Sequence, residues 1–329
     1  MSAPRSPHEV EYSPSSRVAS LDDELRRYAE LSREAMALPH RRLTTAPAAD
    51  GADEGAGEGA IVFEGPAGAP LHVFVHGGYW QALSAADSLM PAPELVAAGW
   101  SFAAIDYVLA PQATIPEQIE QCTRAVRAVI DELDPSAVVL SGSSAGAHLA
   151  AHVAQRLSPP DAYPTASVDR LVLLSGIYDL RPLVTTYVNV PLGMDGDTAR
   201  AWSVPLGTRP ALDLHVLHGE HETVAFKAQS ARLAAAWGVP VVEVVGRNHF
   251  DLVLDLASID LRLGVPRRGA PHAMHVAAPA RHDGDPTHVR DHAPEEAGVA
   301  AVAERPGAPR RVEAEALHRP PAGPTTAGR

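Results

Sequence analysis

The 329-residue sequence has little of what extracellular, membrane-spanning or nucleic-acid-binding proteins need. It contains one cysteine, Cys122, so no disulfide can form within the chain, which favours a reducing compartment. No run approaches the roughly 18 apolar residues of a membrane span, and the polar stretch 1–17 has no apolar signal region. A net charge of −13 disfavours nucleic acid and anionic membranes as partners. We therefore expect a cytoplasmic protein with neither kind of partner.

Hydrophobic residues make up 46% of the chain, which is enough for a sizeable core. Between residues 61 and 262, short apolar runs such as LHVFV and RLVLLSG alternate with longer stretches of helical periodicity. Strands that alternate with helices form βαβ units, and nearly continuous apolar strands are typical of a sheet covered on both faces. The pattern predicts an α/β fold with a mostly parallel central sheet.

Three regions differ in composition. Residues 1–45 are predicted to form an N-terminal helical arm that packs on the core, with Ser20 as the N-cap of a helix over 21–38. Residues 46–262 are predicted to form the catalytic domain, in which the Gly/Ala/Asp-rich stretch 46–60 is a flexible loop. Residues 263–329 are rich in proline and histidine and have no aromatic residue, which predicts a disordered tail.

A candidate nucleophile lies in the stretch VVLSGSSAGAHLA. Gly142 and Gly146 flank Ser144 in a G-x-S-x-G pattern, between an apolar run and a predicted helix. This pattern is typical of a nucleophile on a sharp strand-to-helix turn, where the glycines prevent clashes with neighbouring backbone. Ser144 is therefore the predicted nucleophile, and the N–H of Ala145 is a predicted oxyanion donor.

The stretch LHVFVHGGYWQ predicts the remainder of the oxyanion hole. In the α/β-hydrolase arrangement, an H-G-G loop after an early strand supplies backbone donors, which we assign to Gly78 and Tyr79. Glycine is expected here because side chains would occupy the space of the substrate. His76 is expected to hold the loop in place by a hydrogen bond.

The chain order nucleophile, acid, histidine predicts the other members of the set. His249 follows the last predicted strand and is the expected general base. Glu222 is the expected acid, with Glu220 as the alternative in the same loop. Other histidines, including the pair His148 and His152, lack a convincing ligand pattern, so no metal and no cofactor is predicted.

These motifs resemble the α/β-hydrolase type of kynurenine formamidase, also called arylformamidase. The resemblance covers residues 10–260 and rests on EYSPSSR, HGGYWQ, GSSAGAHLA, SGIYDLRPL, GEHETVAFKAQS and NHFDLVLDLA. The chain has Ser143 before the nucleophile where the family usually has histidine, and Glu222 where it usually has aspartate.

The resemblance implies hydrolysis of N-formyl-L-kynurenine to L-kynurenine and formate, in tryptophan degradation. The implied partner is a small-molecule substrate, an N-formylated aryl amine, and a homodimer is left open. Tyr79 and Trp80 either pack on the substrate ring or belong to the core. Arg247 is the candidate that would bind the substrate carboxylate.

Two other functions remain open at this point. The first is a carboxylesterase-like hydrolase acting on small aryl or acyl esters, because a triad does not determine its substrate. The second is a ligand-binding protein that keeps the fold but has lost catalysis. The presence of both Ser144 and His249 favours an enzyme.

Overall fold

The computed structural model describes residues 5–45, 57–159, 167–266 and 309–314. The strands in these ranges are β1 Arg41–Thr44, β2 Gly59–Phe63, β3 Leu71–Val75, β4 Ser101–Asp106, β5 Val138–Ser143, β6 Arg170–Leu174, β7 Asp213–Gly219, β8 Val241–Val245 and β9 Arg310–Glu313. The helices are α1 Pro7–Glu11, α2 Leu21–Ala35, α3 Ala92–Ala97, α4 Ile115–Leu133, α5 Ala145–Leu157, α6 Asn189–Leu192, α7 Gly196–Trp202, α8 Val224–Ala236 and α9 Leu256–Leu263. In this part of the chain, no helix is long and apolar enough to cross a membrane.

The strands form one sheet in the order β1-β2-β4-β3-β5-β6-β7-β8-β9. β2 is antiparallel to both β1 and β4, and every later pairing is parallel. The parallel strands β3, β5, β6, β7 and β8 therefore end at the same edge. Loops that carry polar residues after these strands are brought together there.

The core has two layers because alternate side chains of a strand point to opposite faces. Val73 and Val75 of β3 pack in one layer, which also contains apolar residues of α4, α5 and α8. Phe74 packs in the other layer, with residues of α2, α3 and α9. The predicted mostly parallel sheet with helices on both faces is confirmed.

The N-terminal region contains the predicted helix, which runs as α2, and the Ser20 side chain accepts a hydrogen bond from the N–H of Asp23 at 3.2 Å. The region is not helical throughout, because β1 at its end pairs with β2. β2 itself begins at Gly59, so the last two residues of the predicted flexible loop 46–60 are in a strand. Residues 46–56 lie outside the described residues.

The predicted disordered tail needs one correction. Residues Arg310–Glu313 form β9, which pairs in parallel with β8. Without β9, β8 would be the edge strand of the sheet. Arg311 of β9 also forms ion pairs with Glu220 and, at 3.3 Å, with Glu243. An edge strand offers unpaired backbone groups, and these together with two carboxylates explain why this short segment is ordered. Residues 267–308 and 315–329 lie outside the described residues.

Candidate active site

The candidate nucleophile Ser144 sits on a sharp turn between β5 and α5. Its backbone has φ 57° and ψ −120°, which is a strained conformation for a residue with a side chain. A Cβ atom on Gly142 would lie 2.3 Å from the carbonyl oxygen of Gly146, and one on Gly146 would lie 2.1 Å from that of Val75. The turn therefore needs glycine at both positions, as the G-x-S-x-G pattern predicted.

The glycines of the H-G-G loop are also required by close contacts within the protein. A Cβ atom on Gly77 would lie 2.9 Å from the carbonyl oxygen of Ser143 and 3.2 Å from the Cβ of Ser144. One on Gly78, whose φ is +95°, would lie 2.0 Å from the carbonyl oxygen of Ala82. These glycines allow the loop to pack on itself and on the nucleophile turn. Both glycines also line the cavity, so the predicted need for substrate space stays a prediction.

The predicted oxyanion donors lie around this turn. Gly78 and Tyr79 line the same cavity as Ser144. Ala145 is buried and is the first residue of α5, where a helix leaves its N–H groups without intrahelical partners. Tyr79 has φ 54°, so the loop turns sharply directly after Gly78.

His76 lies behind the loop and does not line the cavity. Its ring stacks on Tyr107 with 4.3 Å between the ring centroids, and its Nδ1 lies 2.9 Å from the carbonyl oxygen of Gly77. The Tyr107 hydroxyl donates to the carbonyl oxygens of His76 and Gly77 at 3.0 and 3.2 Å. Burial lowers the pKa of His76. Its contacts are those of a residue that supports the loop.

The loop after β7 brings Glu222 to His249. Oε2 of Glu222 lies 3.0 Å from Nδ1 of His249, and Oε1 accepts hydrogen bonds from the Ser175 hydroxyl and, at 3.1 Å, from the Gly219 N–H. Burial by itself raises the pKa of Glu222, but the nearby His249 and these three hydrogen bonds lower it below its ordinary value. Glu222 is therefore a buried carboxylate at neutral pH.

Glu220, the alternative acid, points elsewhere. Its carboxylate accepts a hydrogen bond from the Gly246 N–H at 3.0 Å and pairs with Arg311 of β9. The structure therefore places Glu222 beside the histidine and Glu220 at the sheet edge.

One short segment holds both parts of the site. The carbonyl oxygen of Leu174, the last residue of β6, accepts the N–H of Ser144 at 2.9 Å. The next residue, Ser175, has φ 51° and donates its hydroxyl to Glu222. Ser175 was not among the residues predicted from the sequence, although it begins the SGIYDLRPL stretch. A serine directly after a parallel strand was the available signal.

Ser144 and His249 open on a common cavity of about 300 Å³. Its wall is formed mainly by apolar side chains: Leu21, Leu25, Tyr28, Phe74, Leu83, Met90, Phe250 and Val253. Phe226 and Phe250 pack edge-on against the ring of His249, at centroid distances of 4.6 and 5.4 Å. These rings hold the imidazole in one orientation.

The N-terminal arm forms a wall of the cavity, which sequence analysis did not predict. Pro14, Ser15 and residues of α2 line it. The arm is tied down by hydrogen bonds from the Tyr79 hydroxyl to the carbonyl oxygen of Tyr12, at 2.6 Å, and from the Tyr28 hydroxyl to that of Phe250. The arm is therefore part of the site.

Of the two aromatic residues in HGGYWQ, only Tyr79 lines the cavity. Trp80 is fully buried in the core, with its ring edge-on to His148 at 5.2 Å. The expectation that the Trp80 ring contacts the substrate is therefore corrected. It faces the core because the loop turns through positive φ at both Tyr79 and Trp80.

Arg247 is also corrected as a substrate-binding candidate. Its guanidinium forms two hydrogen bonds of 2.6 Å with the buried carboxylate of Asp255 and does not line the cavity. This bidentate pair fixes the arginine between the last loop and the following turn.

A second serine, histidine and aspartate set lies inside the sheet. His72 contacts Asp260 through Nδ1 at 2.8 Å and Ser141 through Nε2 at 2.6 Å. All three side chains are fully buried, so no substrate can reach them. Their contacts link β3, β5 and α9, which is a structural role.

The paired histidines of α5 share one backbone partner. His148 and His152 both direct Nε2 at the carbonyl oxygen of Trp202, at 2.7 and 3.2 Å. In the part of the chain that the structure describes, no cluster of three metal-ligating side chains occurs.

Comparison with known proteins identifies the family. A family model for the α/β hydrolase fold matches residues 72–213. The chain is 34% identical to the kynurenine formamidase of Salmo salar over 59% of its own length and 70% of the relative's. It is 31% identical to that of Drosophila melanogaster, over 58% of its own length and 70% of the relative's.

Solved structures share the same fold. A candidate thioesterase from Silicibacter sp. TM1040 is 31% identical, with a TM-score of 0.65 over 77% of this chain and 95% of that one. The carboxylesterase EstE1, from a metagenomic library, shares the fold at 20% identity, with a TM-score of 0.54 over 75% of this chain and 98% of that one. The chain is a hydrolase with the α/β-hydrolase fold, and it belongs to the kynurenine formamidase family.

Proposed function

We propose that the protein hydrolyses the formamide of N-formyl-L-kynurenine to L-kynurenine and formate, with Ser144, His249 and Glu222 as its catalytic set. The observation that carries the proposal is the buried contact of Glu222 with His249, because His249 in turn lines the same mostly apolar cavity as Ser144. Relatives named kynurenine formamidase support the choice of substrate.

The first half of the reaction forms a formyl-enzyme. Ser144 Oγ attacks the formyl carbon while His249 takes the serine proton. The carbonyl oxygen becomes an oxyanion that the N–H groups of Gly78, Tyr79 and Ala145 stabilise. His249 then gives its proton to the aryl nitrogen, the C–N bond breaks and kynurenine leaves. In the second half, His249 takes a proton from water while the hydroxide attacks the formyl carbon. The bond between that carbon and Ser144 Oγ then breaks, His249 returns the proton to Oγ, and formate leaves.

Glu222 orients His249 and stabilises its protonated form during both halves. Because its pKa is lowered, the carboxylate remains charged throughout the neutral range. Ser175 and the Gly219 N–H hold one carboxylate oxygen and leave the other for Nδ1 of His249. This leaves Nε2 as the atom that exchanges protons with Ser144.

The cavity suits an aromatic substrate of modest size. Phe74, Phe250 and Leu25 present apolar surface in the cavity that Ser144 lines. An aryl amine is a better leaving group than an alkyl amine, so a site of esterase type suffices for its release.

A carboxylesterase acting on small aryl or acyl esters is the second candidate. The mostly apolar cavity wall favours it, because such esters carry no charge that needs a partner. A binding protein without catalysis is disfavoured by the intact contact between Glu222 and His249.

The deciding measurement is kcat/KM of the purified protein on N-formyl-L-kynurenine and on phenyl acetate, with Ser144→Ala as the matched inactive control. A higher value on the formamide, lost in the variant, supports the proposal. A strong preference for phenyl acetate would favour the esterase. Failure of the wild type to react with a fluorophosphonate would favour the binding protein.

A further inference from the structure

The cavity wall lacks a partner for the charged end of the proposed substrate. N-formyl-L-kynurenine carries an α-carboxylate and an α-ammonium group, separated from the formamide by the ring and a short chain. Among the described residues that line the cavity, none is an arginine, lysine, aspartate or glutamate. Burying an unpaired carboxylate is strongly unfavourable, so this end must lie at the mouth of the cavity.

A cation stacks on one residue of the cavity wall without lining the cavity itself. The guanidinium carbon of Arg5 lies 4.3 Å from the ring centroid of Tyr187, which lines the cavity. This distance is within the range of a favourable cation–π contact. Arg5 is exposed, and no described residue forms a hydrogen bond or an ion pair within 4.0 Å with its guanidinium, although its charge contributes to the lowered pKa of the nearby Glu9. Its hydrogen-bond donors are therefore available to a ligand.

The N-terminal arm holds Tyr187, the residue under the Arg5 guanidinium, in place. The Ser13 hydroxyl donates to the Tyr187 hydroxyl at 3.2 Å, and the Tyr187 N–H donates to the Glu9 carboxylate at 3.3 Å. Glu9 also accepts the N–H of Ser6 at 2.9 Å, so backbone groups hold this nearby acidic side chain. The ring of Tyr187, on which Arg5 stacks, is therefore held by hydrogen bonds to the arm.

We propose that Arg5 binds the α-carboxylate of the substrate at the cavity mouth and thereby selects formamides that carry an amino-acid side chain. This inference rests on the proposed function. The planar guanidinium can form two parallel hydrogen bonds with a carboxylate while it remains stacked on Tyr187. The arm then supplies both an apolar wall and the charge that the wall lacks.

The test compares two formamides that differ only in the charged end, N-formyl-L-kynurenine and 2-formamidoacetophenone. Arg5→Gln is expected to raise KM for the first about tenfold, the usual effect of losing a charge-assisted hydrogen bond. Its kcat on that substrate and both constants on the second should not change. Arg5→Lys should recover part of the loss. Arg17→Gln, on the same arm but paired with Glu11 at 3.8 Å, is the matched control.

Equal effects of Arg5→Gln on both formamides, or none on either, would overturn the inference while leaving the proposed function intact. If the wild type cleaves neither formamide, the proposed function fails, and the same variants are measured on 4-acetoxybenzoate and phenyl acetate. A loss confined to the carboxylate-bearing ester would still support Arg5 as an anion-binding residue. Equal constants on both esters would overturn it.

Discussion

Replacing Glu222 by glutamine is the most direct test of the site. One carboxylate oxygen accepts the Ser175 hydroxyl and the Gly219 N–H, and the other faces Nδ1 of His249 at 3.0 Å. In the variant, the amide oxygen must stay with the two donors, so the NH₂ group faces Nδ1. Nδ1 must then accept, which places the ring proton on Nε2, opposite Ser144.

This tautomer cannot take a proton from the serine, and no negative charge stabilises the imidazolium. We expect kcat of Glu222→Gln to fall by about 10³- to 10⁴-fold, which corresponds to about 4 to 5.5 kcal/mol of transition-state stabilisation. KM should change little, because Glu222 is buried behind His249 and does not line the cavity.

Glu222→Asp keeps the negative charge but shortens the side chain, so it separates the two effects. Removing one methylene shortens the side chain by about 1.5 Å, so aspartate cannot contact both His249 and its two anchoring donors. We expect kcat to fall by about 10²-fold, the low end of the contribution of general acid–base catalysis. The assay is steady-state hydrolysis with thermal melting of each variant, and Glu220→Gln is the matched control. Retention of more than about a tenth of kcat in Glu222→Gln, with a large loss in Glu220→Gln, would refute the assignment.

Three further predictions concern stability. Burial lowers the pKa of His152 to about 4 from 6.5, so the unfolded chain binds more protons between these values, and stability should fall by up to about 3 kcal/mol as pH decreases through this window. Urea unfolding at several pH values checks this, and His152→Gln should weaken the dependence. Truncation after residue 308 removes β9 and should lower Tm by a few degrees, whereas truncation after residue 314 should not; equal Tm values would mean that β9 adds nothing. Arg247→Gln removes the bidentate partner of buried Asp255 and should lower the free energy of unfolding by about 3 kcal/mol. KM for formylkynurenine should not rise. A raised KM would show that Arg247 does contribute to substrate binding.

The parts of the site that local sequence determines were predictable. The turn at Ser144 follows from two glycines and one strand-to-helix boundary, all within five residues. His249 follows from the order of the elements. The need for Gly77 and Gly78 was predicted from the substrate side alone, whereas the contacts of a Cβ with Ala82 and Ser143 depend on the folded loop.

Contacts between distant segments were not predictable. Tyr12 and Tyr79 meet across 67 residues, so the sequence did not reveal that the arm lines the cavity. Arg247 is near His249 in sequence, but its partner Asp255 becomes a neighbour only when the following segment turns back. Likewise, the proline-rich composition of the tail outweighed the four residues of β9, whose order depends on the exposed edge of β8.

Leu174 and Ser175 couple the position of the nucleophile to that of the acid. Because one residue bonds the nucleophile backbone and the next bonds the acid, a displacement at the end of β6 moves both groups together and preserves their separation. The serine hydroxyl also fixes the end of a side chain longer than aspartate. A substitution of Ser175 is therefore expected to disturb the alignment of Glu222 with His249 while the fold stays intact.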